Sequence, residues 1–389
     1  MSSTNKTKRI LPIIVVSQFL CTSLWFAGNA VLPDMLNNFP AETNLLANLT
    51  SMVQFGFITG TLTFAIFAIS DIFPPSKIFF ICGIAASLFN LGICLALKNV
   101  EILLLFRFLT GFMLAGIYPV GMKIAADYFK DGLGKSLGFL VGALVLGTAF
   151  PHLLKTLTTD FPWKYVIYAT SILSLIGAGS VFFFVPNGPF RVTGQKFNFS
   201  ASFSGFKNAE FRAAAFGYFG HMWELYTFWA FLPAILLLYN HTHESSSLNI
   251  PLFSFLVIAS GGLSCMLGGL LSQKFGAKRI ATLALGISGL CCLLSPFFLF
   301  IDSVYLFLLF LFTWGLSATA DSPLFSSLVA KNAPESLKGT SLTLVNCIGF
   351  AITIISIQVL NILSKEMNSH YIYTVLAIGP ALGLLALRK

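Results

Sequence analysis

The chain has 389 residues, of which 56% are apolar and only 10% are charged, whereas soluble domains average roughly 25% charged residues. Apolar runs of more than about 18 residues fill most of its length, which excludes a sizeable soluble domain and a separate catalytic module. The net charge of +9 does not indicate nucleic-acid binding, because the basic residues lie in the short segments between these runs.

Hydropathy predicts an all-α integral membrane protein. The basic amino terminus leads into an apolar run that ends near Pro33 without a small-residue cleavage site, so we expect the first span to be retained. Twelve transmembrane helices are predicted, at residues 10–33, 46–69, 78–97, 101–123, 134–154, 164–185, 213–238, 250–271, 279–300, 303–326, 340–362 and 370–387.

A polar stretch divides these helices six and six. It covers residues 186–212 and predicts a cytoplasmic linker between an N-terminal bundle of residues 1–185 and a C-terminal bundle of residues 213–389. The halves also repeat, and their matching residues include Pro33 with Pro233, Gly111 with Gly315, and Pro119 with Pro323. Two halves of the same topology, related by an axis along the membrane normal, are a recognised transporter plan.

The basic residues predict the orientation. Eighteen of the 23 Lys and Arg residues fall on the side of both termini, and only Lys98, Lys155, Lys164 and Lys365 fall on the other. Because cytoplasmic loops carry an excess of Lys and Arg, we expect both termini in the cytoplasm and the protein in the inner membrane of a bacterium. Arg107 is the one basic residue left inside a predicted span.

The loop after the second predicted helix retains an acid, Asp71, and a base, Lys77. The acid can cap or pair with a neighbouring helix end as two halves rock, and a basic loop keeps its ends in the cytoplasm. A loop that only fixes the topology is the equally weighted alternative.

Helix four carries Arg107 four residues before Gly111. A guanidinium cannot be neutralised at this depth and must find acceptors. Either it ties helix four to its neighbours, or it contacts a polar or anionic solute. Further along the same helix, Tyr118 and Pro119 mark a candidate break.

Helix five places Gly138, Gly147 and Pro151 at intervals that let helices approach closely. Packing is therefore the favoured role of these residues. His152, near the outer end, could titrate, but a satisfied interfacial side chain is the preferred interpretation.

Helix seven contains Glu224 about ten residues into an apolar run, which at ~1.5 Å per residue is near the midplane of a ~30 Å hydrocarbon core. An acid there costs ~2.5 to 3.5 kcal/mol on insertion scales, so such residues usually face a cavity or a partner and mark an ion or substrate path. His221 lies one turn earlier on the same face, and Trp223, Tyr226 and Trp229 could form flat walls for a solute. The alternative is a buried, protonated Glu bonded to a neighbouring helix.

A tight basic loop joins helices eight and nine, and its residues are Gly269, Gln273, Lys274, Phe275, Gly276, Ala277, Lys278 and Arg279. In helix ten, Asp321 precedes Ser322 and Pro323. We expect its carboxylate to cap a restarted helix rather than to bind a ligand. Since Tyr118 and Pro119 occupy the matching place in helix four, the two breaks together indicate a gate.

These motifs resemble those of the major facilitator superfamily. The loop ending at Arg279 is similar to the G-x3-D-[RK]-x-G-[RK]-[RK] loop of that family and departs from it at Gln273. Its first-half counterpart is eroded, with Phe67, Ile72 and Pro74 at motif positions. Arg107 to Gly111 looks like the RxxxG element of helix four, and the helix-five glycines are similar to the antiporter element, except that Pro151 stands in place of a glycine.

The resemblance implies two six-helix bundles around a central cavity, bordered by helices one, four, seven and ten, that opens alternately to each side. In that family the helix-four Arg is linked to proton coupling or to polar contacts inside the bundle. Asn29 and Asp34 on helix one then become candidate partners of Arg107, and Trp25 joins them in the expected substrate pathway.

We therefore hypothesise a proton-coupled secondary active transporter of a small organic solute, with Glu224 as the proton carrier. One alternative is a divalent metal-cation carrier using His221 and Glu224, although a site normally needs three or four ligands. Another is a receptor or scaffold that moves nothing. We expect no enzyme activity, cofactor or nucleic-acid partner, and a monomer. The seven cysteines, all within apolar runs, are expected to be packing residues.

Overall fold

The structure is a computed structural model that describes residues 3–36, 44–96, 99–129, 133–191, 203–243, 246–334 and 337–388. Within these ranges the chain is helical and contains no strand. Its contacts separate two compact units, Met1–Asn198, called unit 1, and Phe199–Lys389, called unit 2. Part of the predicted linker lies outside the described residues.

Among its described residues, unit 1 has ten helices and a short 3-10 segment at Ile93–Leu95. The helices are α1 (Ser3–Thr22), α2 (Ala27–Ala30), α3 (Leu32–Leu36), α4 (Leu45–Ile66), α5 (Ile69–Ile72), α6 (Pro75–Gly92), α7 (Val100–Leu114), α8 (Tyr118–Tyr128), α9 (Leu133–Leu157) and α10 (Lys164–Phe184).

In the described part of unit 2 there are seven helices and 3-10 segments at Phe203–Lys207 and Ile372–Ala377. The helices are α11 (Ala209–Thr242), α12 (Ile250–Phe275), α13 (Ala277–Leu299), α14 (Val304–Ala320), α15 (Ser322–Asn332), α16 (Lys338–Glu366) and α17 (Ile378–Leu387).

The predicted fold class is confirmed. Ten helical segments of the described chain are long and apolar enough to cross a membrane. Two shorter apolar helices, Arg9–Thr22 and Ile372–Leu387, lie at the first and last predicted positions. The protein is therefore an integral membrane protein with an all-α architecture.

Asparagine side chains begin several of these helices. The Oδ1 atoms of Asn99, Asn208 and Asn249 accept hydrogen bonds from backbone N–H groups in the first turns of α7, α11 and α12, at 3.0, 2.8 and 3.0 Å. A helix start leaves N–H groups without intrahelical partners, and an Asn at this position satisfies one or two of them. The start of α11 fixes the position of the span that carries Glu224.

Several predicted spans are broken rather than continuous. The first predicted helix ends at Thr22 and restarts at Ala27, so the prediction of one helix through residue 33 was wrong. Helix four is interrupted between Leu114 and Tyr118, and helix ten at Asp321, which are the two breaks that the sequence indicated. Each break exposes backbone groups that a side chain can bind.

Small residues set the closest helix contacts. A Cβ atom added to Gly111 would lie 2.1 Å from the carbonyl oxygen of Val53, and one added to Gly56 would lie 2.0 Å from that of Phe108. Gly220 of α11 similarly abuts the backbone of Gly379. These glycines allow backbone contact between α4 and α7 and between α11 and the start of α17, as is typical of membrane helices.

The two inter-helix loops that match in sequence differ in backbone. In unit 2, α12 runs to Phe275 and Gly276 turns the chain with φ +90°, a conformation that favours glycine. In unit 1, Pro74 stands at that position and cannot adopt it. The helix there ends earlier, and Ala68 takes the left-handed conformation instead, with φ +48°.

Candidate functional site

Arg107 lies fully buried in unit 1 and binds the broken first span. Its Nη1 donates to the carbonyl oxygen of Leu24 at 3.1 Å, and its Nη2 donates to that of Trp25. Both carbonyls lie in the turn between α1 and α2, where the break has freed them. A Cβ on Gly28 would lie 3.4 Å from Nε of Arg107, so the guanidinium also packs on the restarted helix. Arg107 thus ties α7 to the break.

The polar residues of the first span do not contact Arg107, which corrects the prediction of Asn29 and Asp34 as its partners. Asn29 donates to Thr50 Oγ1 at 2.7 Å, and Asp34 pairs with Lys155 at 2.7 Å. A guanidinium needs acceptors, and the carbonyls of Leu24 and Trp25 in the break supply them. The Trp25 ring packs on Phe57, with ring centroids 4.9 Å apart.

The acidic loop residue of unit 1 forms an ion pair. Asp71 contacts Lys123 of α8, and Arg191 donates to the carbonyl oxygens of Asp71 and Phe73, both at 3.1 Å. Lys77 is exposed. The loop therefore connects to α8 and to the chain after α10 within the same unit.

The corresponding loop of unit 2 is more open to solvent. Lys274 and Arg279 are exposed, Lys278 lies 3.5 Å from Glu210, and nothing lies within 4 Å of a Cβ added to Gly269. Its basic side chains thus lie at the surface around the turn at Gly276.

The glycine-rich face of α9 is a packing surface. A Cβ on Gly147 would lie 2.1 Å from Thr22 Oγ1, whereas one on Gly138 would meet nothing within 4 Å. His152 is 2% exposed, and its Nε2 has no hydrogen-bond partner among the described residues, which corrects its interpretation as a satisfied interfacial residue. Pro151 lies inside α9, and Pro119 lies in the first turn of α8 beside Tyr118.

Glu224 lies in unit 2, 1% exposed, and three side chains surround its carboxyl group. Trp314 Nε1 donates to Oε1 at 2.6 Å, Ser288 Oγ lies 2.9 Å from Oε2, and Cys292 Sγ lies 3.3 Å from Oε1. Within the described part of the chain, Glu224 forms no ion pair. The group is therefore held by hydrogen bonds alone, from α13 and α14.

The shell around Glu224 fits both forms of the carboxyl group. The indole N–H of Trp314 can only donate, so Oε1 is an acceptor. Ser288 Oγ lies 2.9 Å from Oε2 and also 3.1 Å from the carbonyl oxygen of Leu285. Because a hydroxyl carries one hydrogen, Ser288 can donate to an ionised Oε2, or donate to Leu285 and accept from a protonated Oε2. Proton binding then needs only a hydroxyl rotation.

His221 and Asp321 form a second buried polar contact in the same unit. His221 Nδ1 lies 2.8 Å from Asp321 Oδ1, at an angle poor for a hydrogen bond, and both side chains are at most 1% exposed. His221 Nε2 and Asp321 Oδ2 have no hydrogen-bond partner among the described residues. Asp321 makes no side-chain cap on α15, so its predicted capping role was wrong. Its carboxylate points to α11, and Pro323 lies in the first turn of α15 without that cap.

The aromatic residues near Glu224 pack within unit 2. Trp223 Nε1 donates to the carbonyl oxygen of Val375 at 3.2 Å. The Tyr226 ring lies 5.2 Å from the rings of both Trp229 and Phe350. Trp229 and Tyr226 are buried, which means that helix packing accounts for both rings.

Trp314, Ser288 and Cys292 were not predicted as site residues. Ser288 and Cys292 are four residues apart on α13, which places them on one face. That spacing was the only signal in the sequence that could have placed Ser288 and Cys292 at one site. The seven cysteines are buried and free, and Cys292 also donates to the Glu224 carboxyl group. Across the described residues, no group of three or more His, Cys, Asp and Glu could hold a metal ion.

Comparison with known proteins identifies the family. The family model of the Major Facilitator Superfamily matches residues 14–357, and the chain belongs to this superfamily. It is 28% identical over 154 residues to Multidrug resistance protein 3 of Bacillus subtilis (strain 168), across 37% of the chain and 29% of that protein. It is 26% identical over 189 residues to the Trichosetin biosynthesis cluster MFS transporter of Gibberella fujikuroi, across 48% of the chain and 38% of that protein.

Solved structures show the same fold at low sequence identity. A bacterial homolog of the human lysosomal transporter Spinster, inward-facing and unoccupied, aligns with a TM-score of 0.75 and 14% identity over 100% of the chain and 98% of its own. The proton:xylose symporter XylE bound to 6-bromo-6-deoxy-D-glucose aligns with a TM-score of 0.74 and 13% identity, over 99% and 95%. The matches to the curated relatives span about a third of those proteins.

Proposed function

We propose that the protein is a proton-coupled secondary transporter of a small organic solute, that it works by alternating access, and that Glu224 is its proton carrier. The single observation that carries this proposal is the Glu224 shell, in which one buried carboxyl group has hydrogen-bond donors but, among the described residues, no cationic partner. A buried charge that lacks a counter-ion is costly, and a group that can change its charge by binding a proton avoids this cost. The hydroxyl of Ser288 accommodates both forms.

Membership of the superfamily supports transport, and the relatives give two substrate classes to try. One relative is named for multidrug resistance and one structural neighbour is a proton:xylose symporter. The excess of Lys and Arg on the side of both termini supports an orientation in which both termini lie in the cytoplasm. The membrane is then the inner membrane of a bacterium. A metal-cation carrier has less support, since His221 and Glu224 contact different partners.

The test uses purified protein in liposomes with an imposed pH gradient. Vesicles receive a mixture of sugars, amino acids and lipophilic cations, and mass spectrometry measures what accumulates. We expect the wild type to concentrate at least one of these solutes and Glu224→Gln to equilibrate it without accumulation. Glu366→Gln, which changes an exposed acid at the end of α16, is the matched control and should behave as wild type.

Two outcomes would overturn the proposal. Gradient-driven accumulation by Glu224→Gln at the wild-type level would remove Glu224 as the carrier. Saturable binding of a solute from this mixture, without flux in either direction, would instead indicate a receptor.

A further inference from the structure

Two polar and small-residue faces meet along α11 and the broken helix α14–α15. On α11, Glu210, Ala214, Gly217, His221 and Glu224 recur every three or four residues, which places them on one side of the helix. On the antiparallel partner the facing residues are Asn332, Leu328, Phe325, Asp321 and Trp314, in that order. We call this contact the seam.

Contacts pair the two faces of the seam along its length. At the start of α11, Glu210 and Ala214 line a small notch with Leu328 and Asn332, whose volume of about 10 Å³ is roughly that needed by one water molecule. The remaining pairs are Gly217 with Phe325, His221 with Asp321, and Glu224 with Trp314.

One residue pair of the seam, Gly217 with Phe325, is apolar. Phe325 is fully buried, and its ring fills the space left by Gly217, where an added Cβ would lie 2.4 Å from the ring. The same ring lies 6.2 Å from the imidazole of His221, between centroids. Phe325 thus separates the notch from the buried polar residues.

The next pair of the seam, His221 with Asp321, has polar atoms without a hydrogen-bond partner among the described residues. Buried polar atoms nearly always have partners, yet His221 Nε2 and Asp321 Oδ2 have none among the described residues. Each can accept a proton, and the contact between Nδ1 and Oδ1 joins the two side chains at 2.8 Å. His221 is also one helical turn from Glu224. Such a pair can take a proton on one side and release one on the other.

We propose that the seam is the path by which a proton travels between Glu224 and the solvent at the start of α11, with His221 and Asp321 as the relay and Phe325 as its gate. The path rests on the proposed role of Glu224. A proton from water in the notch binds Asp321 or His221 when the Phe325 ring moves aside. A proton on Asp321 passes to His221 across the contact between Oδ1 and Nδ1. The imidazolium form of His221 then releases one proton to the Glu224 carboxylate, so that Asp321 is again ionised and His221 again neutral after each transfer.

Lys278 also lines the notch, and two other titratable groups lie near the relay. Cys265 of α12 donates to the carbonyl oxygen of Thr319, and Tyr218 of α11 stacks near His221 with ring centroids 5.9 Å apart. Neither of these contacts includes a residue that lines the notch, whereas the Phe325 ring lies 6.2 Å from His221 and against Gly217. Replacing Phe325, the gate, should therefore have the largest effect on proton access from the notch to the relay.

The experiment follows proton arrival at Glu224 directly. Purified protein in lipid nanodiscs is subjected to a rapid pH decrease, and time-resolved infrared spectroscopy records the carboxylic acid band of Glu224, which is assigned by its loss in Glu224→Gln. Phe325→Ala should accelerate the appearance of this band by roughly tenfold or more. His221→Gln and Asp321→Asn should slow it by about 100-fold or more, the scale of a lost proton-transfer group, with its final amplitude retained.

Phe307→Ala is the matched control, since Phe307 is equally buried but stacks on Tyr239 at 3.8 Å, far along α14 from the relay. It should leave the rate within about twofold of wild type. If Phe325→Ala does not fold, Phe325→Leu replaces the ring with a smaller change in side-chain volume. Unchanged rates in the Phe325, His221 and Asp321 variants, with the Glu224 band present, would overturn the seam as the proton path but leave Glu224 as a carrier. If Glu224→Gln removes no band, the proposed function fails instead.

Discussion

Arg107 in unit 1 and Glu224 in unit 2 are both buried ionisable residues inside spans, but their surroundings differ. Arg107 donates to two backbone carbonyls at a helix break, whereas Glu224 is held by the side chains of Trp314, Ser288 and Cys292. Backbone partners cannot change without moving the helix. A hydroxyl partner can reverse its role by rotating. The comparison indicates that Arg107 is structural and that Glu224 is suited to binding and releasing a proton.

The largest expected effect is the loss of Arg107. Arg107→Met should destabilise the protein by about 3 to 5 kcal/mol, because it leaves two buried carbonyls without donors and removes the link between α7 and the break. Thermal unfolding in detergent measures this. Arg212→Met is the matched control, since Arg212 also donates to two carbonyls, those of Phe206 and Lys207, but at an exposed site. A loss no larger than that of the control would break the comparison.

Trp314→Phe should have the next largest effect on stability. It retains the ring that stacks on Phe228 at 4.4 Å but removes the N–H that binds Oε1 of Glu224. A hydrogen bond to an ionised group contributes roughly 1.5 to 3 kcal/mol. We expect a loss in this range at alkaline pH and a smaller one at acid pH, where a protonated Glu224 depends less on the donor. Equal losses at both pH values would mean that Glu224 does not change its charge.

Two glycines of α9, one tightly packed and one not, provide a reference for the losses of stability expected above. Gly147→Ala should cost about 1 to 3 kcal/mol, because its Cβ would overlap Thr22 beside the same break. Gly138→Ala in the same helix meets nothing and should be neutral or stabilising by roughly 0.5 to 1 kcal/mol. Thermal unfolding of both variants would show whether packing around the break is as tight as the Arg107 contacts require.

Glu224→Gln should have the smallest effect on stability, within about 1 kcal/mol. Glutamine has nearly the same shape, its oxygen can still accept from Trp314, and its amide can donate to Ser288. A large destabilisation, comparable with that of Arg107→Met, would mean that Glu224 is as structural as Arg107. The same thermal unfolding measurement decides this, separately from transport.

The sequence determined most of the spans, the two matching halves and the presence of Arg107 and Glu224 inside a span of each half, because bilayer thickness and the cost of charge in hydrocarbon act on local composition. It also determined the glycine turn at Gly276. The tertiary structure alone decided the partners of those charges. The break after Thr22 lacks a local Pro or Gly signal, so the carbonyls that bind Arg107 could not be anticipated. Trp314 and Ser288 reach Glu224 from helices far along the chain, and their meeting depends on how each helix is rotated about its axis.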